Sequence, residues 1–256
     1  VDTALRDQAL TDDLVAKVRT AYRAIGGLNQ GANTASIGLA LADQLEQALA
    51  AMRRQAYAEA TAWLDQAETQ LAVAGLDGEL LAHARSNLAS QADQFAVDET
   101  ANEVTALLDD TKRMIVRSPL DDPTLQQASL ALSRAVELNN RLPESRSQAV
   151  RITAGLETVF LLRAFAAELG DRRFDALRQT VAGLHKLLPV AGVNPALADD
   201  LHGIAVDAEV EWRLALLREF FAQDSWLQSR DLSSGAAQLS AIEALQPEHP
   251  EAAMWD

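Results

Sequence analysis

The sequence predicts an all-α protein made of antiparallel helical hairpins, and three observations carry that expectation. Ala and Leu dominate the composition, and these residues form helices well because they lose little side-chain freedom there. Apolar residues recur at spacings of three and four along most of the chain, whereas Val, Ile, Tyr and Phe never cluster with a period of two. The breaks between periodic segments are short and rich in Gly or Pro, so sequence neighbours should fold back on one another.

The first helix is expected at 11–25, with Thr11 and Asp12 offering cap oxygens to unpaired backbone N–H groups and Leu14, Val18, Tyr22 and Ile25 on one face. Gly26-Gly27 ends it, since glycine accepts the left-handed C-terminal position. The glycine-rich stretch 26–38 is the expected hinge. Helices then read as 34–54, with Ile37, Leu41, Leu45, Leu49 and Met52 in a stripe, and 57–73, with Tyr57, Ala60, Leu64, Ala67 and Leu71. Asp77 should cap a helix ending near Phe95, and Asp98 a second one ending near Arg117. At 118–124, SPLDDPT is a strong break, with Asp122 as the next cap and Pro123 in the first turn. Helices at 123–140, 143–169 and 172–188 follow, then a second strong break, PVAGVNP, at 189–195. Residues 195–222 read as a long helix, a weaker segment surrounds Trp226, and 233–245 read as another helix. After QPEHP, Pro250 opens a further helix. The sum is roughly eleven helices in one domain over 1–256.

Composition narrows the function. The 256 residues are 48% hydrophobic, enough for a substantial core, and 23% charged, too few for wholesale disorder. The formal net charge of −15 disfavours nucleic acid as a partner, because such a surface repels phosphate backbones. Basic residues are scattered; the longest runs are pairs such as Arg53-Arg54 and Arg172-Arg173, too short for a polybasic membrane patch. No uninterrupted apolar stretch is long enough to span a bilayer. The absence of cysteine excludes disulfides and thiolate metal sites. Together with a start at Val1 it leans toward an extracytoplasmic, periplasmic setting. That start, and an end at Trp255-Asp256 just after a helix opens, lead to the expectation of a piece of a longer protein.

Two stretches carry a family resemblance. In LADQLEQALAAMRRQAYAEATAWLDQAETQLA, residues 41–72, Ala48 occupies a small-residue position and Tyr57 a large one opening the second helix. Ala60 and Ala67 take two further small positions, and Leu64 the bulky one between them. In TVFLLRAFAAELGDRRFDALRQTVAGLHKLLP, residues 158–189, Phe174 takes the large position and Pro189 the terminal proline. Both are similar to the tetratricopeptide repeat, a helical hairpin with a period of about 34 residues. The chain departs from that pattern at Ala72, where the terminal proline is missing, and at Leu177 and Leu184, which replace small residues. The spacing of Pro143, Pro189 and Pro247 is irregular, so the resemblance is to a degenerate array over about half the chain. It implies an α-solenoid; a generic helical bundle is the alternative arrangement. The block 213–253 also resembles helical arrays of long bacterial envelope or signalling proteins.

No motif for catalysis is complete. Gly26 and Gly31 have the spacing of a phosphate-binding loop, but Ala32-Asn33 stands where Lys-Ser/Thr is required. His83, His185, His202 and His249 lack a second ligand at metal-binding spacing. The pairs Asp12-Asp13, Asp121-Asp122 and Asp199-Asp200 lie at expected helix starts, and Asp109-Asp110 on a solvated face. Some tetratricopeptide domains clamp a carboxylate with Lys and Asn; the matching positions here are Leu45, Leu49, Leu162 and Ala166. The expected function is therefore a non-enzymatic protein–protein interaction scaffold that uses an apolar groove, without cofactor or metal. Its occupant would be an amphipathic helix or an extended segment. Candidate partner contacts are Trp212, Phe221 and Trp226 in the aromatic C-terminal third, and Arg53, because Trp and Arg dominate interface energetics. The alternatives are a helical-bundle small-molecule or lipid sensor, which needs an enclosed apolar cavity, an enzyme whose site is assembled from distant residues, and a structural spacer.

Overall fold

Short polar side chains open some of the helices, as Thr11 and Asp121 do, and left-handed residues end others, as Gln55 and Gly192 do. The computed structural model describes residues 10–26, 32–73, 77–222 and 232–251. They form nine α-helices and two short 3₁₀ turns, with no strand among the described residues. The chain divides into two compact units, Val1–Glu99 and Thr100–Asp256.

In the first unit, α1 (Asp12–Gly26), α2 (Ala32–Arg53) and α3 (Tyr57–Val73) pack in sequence. Thr11 Oγ1 accepts the Leu14 amide at 3.3 Å, the N-cap bond that the sequence suggests. Leu14, Val18 and Tyr22 of α1 are buried, as are Leu41, Leu45 and Ala48 of α2 and Ala60, Leu64, Ala67 and Leu71 of α3. The α1–α2 pair is antiparallel: Asp12 meets Arg53 at one end, and Tyr22 lies over Gly38 at the other. Since α2 begins at Ala32, residues 32–38 of the glycine-rich stretch are helical; 27–31 lie outside the described residues.

The α2–α3 turn is a Schellman motif. Ala56 N–H donates to Ala51 O (3.0 Å) and Gln55 N–H to Met52 O (2.9 Å), with Gln55 left-handed at φ 61°. Asp77 caps a 3₁₀ turn (Gly78–Leu81) by accepting the Glu79 amide.

The two helices expected at 77–95 and 98–117 are one, α4 (Ala82–Arg117). Asp98 is an interior residue, not a cap. The sequence around it, rich in Ala, Gln and Glu, favours helix, and no glycine or proline interrupts it. Leu80, Leu81, Ala84 and Leu88 belong to the core of the first unit, and Val104, Leu108 and Ile115 to that of the second. No residue from 89 to 103 is buried.

The second unit continues with α5 (Asp122–Asn139), α6 (Ala149–Gly170), α7 (Phe174–Ala191), α8 (Ala196–Ala222) and α9 (Ser233–Leu245). Consecutive members pack together, and residue pairs show each of these pairs to be antiparallel. Asp122 meets Arg163 while Leu132 meets Gly155; Glu168 meets Thr180 while Leu161 meets Gly183. Arg178 meets Glu209 while His185 meets Asp199; Arg213 meets Gln238 while Asp207 meets Gln246. The core comprises Leu125, Leu132, Ile152, Leu162, Phe165, Leu177, Leu184 and Leu201, among others.

Three boundaries differ from expectation, and the first is the start of α6, which lies at Ala149 and not at 143, a 3₁₀ turn (Glu144–Arg146) standing before it. The cap of α5 is Asp121, whose Oδ2 accepts the Thr124 amide at 3.0 Å, so Asp122 is its first helical residue. The helix α7 runs past Pro189 to Ala191, because a proline in the last turn loses one hydrogen bond and keeps a helical φ. It ends in a second Schellman motif at Gly192, φ 77°. Between α5 and α6, the buried Asn139 satisfies the turn: its Oδ1 accepts Gln148 N–H at 2.7 Å and its Nδ2 donates to Ser147 Oγ at 3.0 Å. Among the described residues no helix is long and apolar enough to cross a membrane.

Candidate interaction site

The connection between α6 and α7 is only three residues long, Asp171-Arg172-Arg173. A third Schellman motif makes so tight a reversal feasible. Arg173 N–H donates to Glu168 O (2.9 Å) and Arg172 N–H to Leu169 O (3.2 Å), which places Arg172 at φ 59°. At that position glycine is favoured and a side chain is strained by about 1–2 kcal/mol. The turn delivers both arginines to the edge of a recess of about 500 Å³ lined by α7 and α8.

One wall is the first turn of α7, with Phe174, Asp175, Ala176 and Arg178; the other is α8, with Glu209, Trp212 and Arg213. Phe174 is buried, and its ring lies 5.4 Å from that of Trp212 at 38°. The Arg213 guanidinium carbon is 5.6 Å from the Trp212 ring centroid, within cation–π range.

Beneath the floor lies Glu209, only 2% exposed. Its Oε2 accepts Arg178 Nη1 at 2.6 Å, and its Oε1 accepts Arg213 Nη2 at 2.6 Å and Nε at 3.0 Å. A carboxylate so deeply desolvated is tolerated because charge-assisted bonds replace its water. Arg178 Nη2 also donates to Asp175 Oδ1 at 2.7 Å. Hydrogen bonds to Glu209 first and Asp175 second hold the Arg178 guanidinium even more firmly protonated than usual. Arg213 Nη1 reaches Gln238 of α9 at 3.1 Å. Four arginines line the recess against two carboxylates, Asp175 and Glu209, and Asp171 stands just outside at 3.7 Å from Arg173 Nε, so the recess keeps a local positive excess in a chain of net charge −15. The start of α7 adds to this field: Arg173, its N-cap residue, supplies no side-chain cap, and first-turn amides have no helical acceptor.

Of the residues singled out in the sequence, Trp212 lines this recess. Phe221 does not: it lies in the last turn of α8, edge-to-face with Phe220 at 5.2 Å, and Phe220 packs over Gly235 of α9. Trp226 falls outside the described residues. Arg53 is exposed in the first unit and paired with Asp12 at the start of α1. The clamp-equivalent positions Leu45, Leu49 and Leu162 are buried in the cores. Among the described residues no group of three or more His, Asp or Glu side chains converges; His185 Nε2 approaches Asp199 Oδ1 at 3.4 Å.

Sequence reasoning missed Arg178, Glu209 and Arg213 as a unit. The Glu209–Arg213 spacing of four is a readable helical ion pair, and Arg172-Arg173 is among the basic pairs noted above. The partner on α7, however, is 31 residues from Glu209, and only the register of two helices joins them. No protein-family profile, curated protein or solved structure matches this chain.

Proposed function

We propose that the chain is a non-enzymatic interaction scaffold, a degenerate tetratricopeptide-like array of helical hairpins that holds a protein partner. One observation carries the reading: an aromatic floor with an arginine rim, on the surface of two packed helices, in an otherwise acidic molecule. Trp and Arg in a recess are the residue types that anchor interfaces. A partner would gain its apolar burial on Trp212, which Phe174 backs from the core, and the arginines would orient it. Both carboxylates of the recess are bonded to arginine, which opposes their service as general bases.

The test is affinity capture by the immobilised chain from cells that make it, beside a Trp212→Ala variant shown by circular dichroism to be helical. Specific proteins retained by the parent and lost by the variant are the expected result. Equal retention by both, or no retention by either, would count against the scaffold reading.

A further inference from the structure

Resting on that reading, we infer that the α7–α8 recess recognises an acidic peptide segment, with carboxylates on Arg172 and Arg173 and an apolar residue over Trp212.

The division of labour among the four arginines points there. Arg178 and Arg213 are engaged below by Glu209 and laterally by Asp175 and Gln238, so they are fixed cations on the two walls. Arg172 and Arg173 are exposed at the rim. Among the described residues Arg172 forms no ion pair, and Arg173 forms a loose one, Nε to Asp171 Oδ2 at 3.7 Å. These two have donors to offer a ligand. Glu209 is itself the template: it shows a carboxylate held by forks of arginine donors on the underside of the same recess.

Size and field choose the class of anion. A volume of about 500 Å³ accommodates roughly two or three side chains. A nucleic acid or anionic membrane would bring its charge across much more of the surface, where the net −15 opposes it. A short acidic segment meets the local arginines alone. The half-buried Trp212 ring, backed by the buried Phe174, gives an apolar neighbour in that segment a surface to cover, which a free inorganic anion would leave unused.

Arg172 provides a clean variant. It sits left-handed, so Arg172→Gly relieves backbone strain while removing one rim cation. The probe is a fluorescein-labelled pentapeptide of glutamates around one phenylalanine, titrated with the whole chain and followed by anisotropy. The peptide should bind, weaken with added salt, and bind about tenfold less tightly to Arg172→Gly and to Arg173→Gln, the loss of one charge-assisted contact each. The melting temperature of Arg172→Gly should be equal to or above that of the parent, so the loss cannot be blamed on unfolding. The lysine counterpart of the peptide and a single-stranded oligonucleotide of matching charge should not bind.

Absence of peptide binding, binding unchanged in both variants, or an oligonucleotide that binds as well would overturn the inference. Displacement of the peptide by inorganic phosphate at similar concentration would make the site one for a free anion and also overturn it. If the peptide fails while Trp212-dependent protein capture persists, the ligand class is wrong and the scaffold reading stands. If both fail, the scaffold reading falls as well.

Discussion

The contact between Leu132 of α5 and Gly155 of α6 allows a test in which two damaging substitutions should partly repair each other. Leu132 is fully buried, and a Cβ built on Gly155 would lie 2.9 Å from its Cδ2 and 3.3 Å from its Cδ1. Leu132→Ala should destabilise by about 3 kcal/mol, from lost transfer energy plus a cavity. Gly155→Ala adds about 2 kcal/mol of overpacking, offset by about 1 kcal/mol of improved helix propensity, for a net loss of about 1. In the double variant the new methyl enters the space that Leu132 vacated. Overpacking disappears and the propensity gain remains, so the double variant should be about 2 kcal/mol less stable than the parent. That is about 1 better than Leu132→Ala alone, and a coupling of about 2 kcal/mol against the sum of the singles. Urea denaturation of the four proteins, followed by circular dichroism at the helix band, measures it. Additivity within about 0.5 kcal/mol would refute the close approach of α5 and α6 at this point.

Three further expectations follow from local geometry. Gly38→Ala would place a Cβ 2.1 Å from the ring of Tyr22, itself 6% exposed and unable to swing into solvent. It should destabilise the first unit by about 3 kcal/mol despite the gain in helix propensity, read as a lowered melting temperature. Gln55→Gly should do the reverse, raising stability by about 1 kcal/mol, because Gln55 is held left-handed in its Schellman turn; an unchanged or lowered melting temperature would contradict this. Glu251 is bonded to Arg218, whose hydrogen bonds hold its carboxyl below the usual range, with Arg218 and His249 charges assisting. Its folded pKa being the lower one, the contact stabilises where an unfolded glutamate is ionised and is lost as pH falls through that lower value. Carboxyl NMR should show a depressed Glu251 midpoint that moves up in Arg218→Gln; no movement would discount the pair.

The elements were legible where local chemistry decides them. The stripes of α1 and α3 follow from spacings of three and four, and the Thr11 and Asp77 caps from a short polar side chain before each helical turn. Misreadings arose where a local signal competed with context. Asp98 has cap chemistry but lies among strong helix formers, and Pro189 is a breaker that the last turn of α7 absorbs. The recess was half legible. Trp212 could be singled out by type, but Arg178 faces Glu209 only through the register of α7 against α8, and Arg172 reaches the rim through a left-handed turn usually reserved for glycine. Neither feature leaves a trace in periodicity.

The middle of α4 has a thermodynamic consequence. From 89 to 103 the helix contributes no buried residue, while Leu88 belongs to one core and Val104 to another. Cooperativity travels through shared burial, and this stretch shares little of it: Phe95 leans on Tyr57 at 5.4 Å without being buried, so the helix here relies largely on its own hydrogen bonds, which are marginal over so few turns. Its amides should exchange with solvent faster than those of α4 on either side, and heating should produce two transitions, one for each core, rather than a single all-or-none melt.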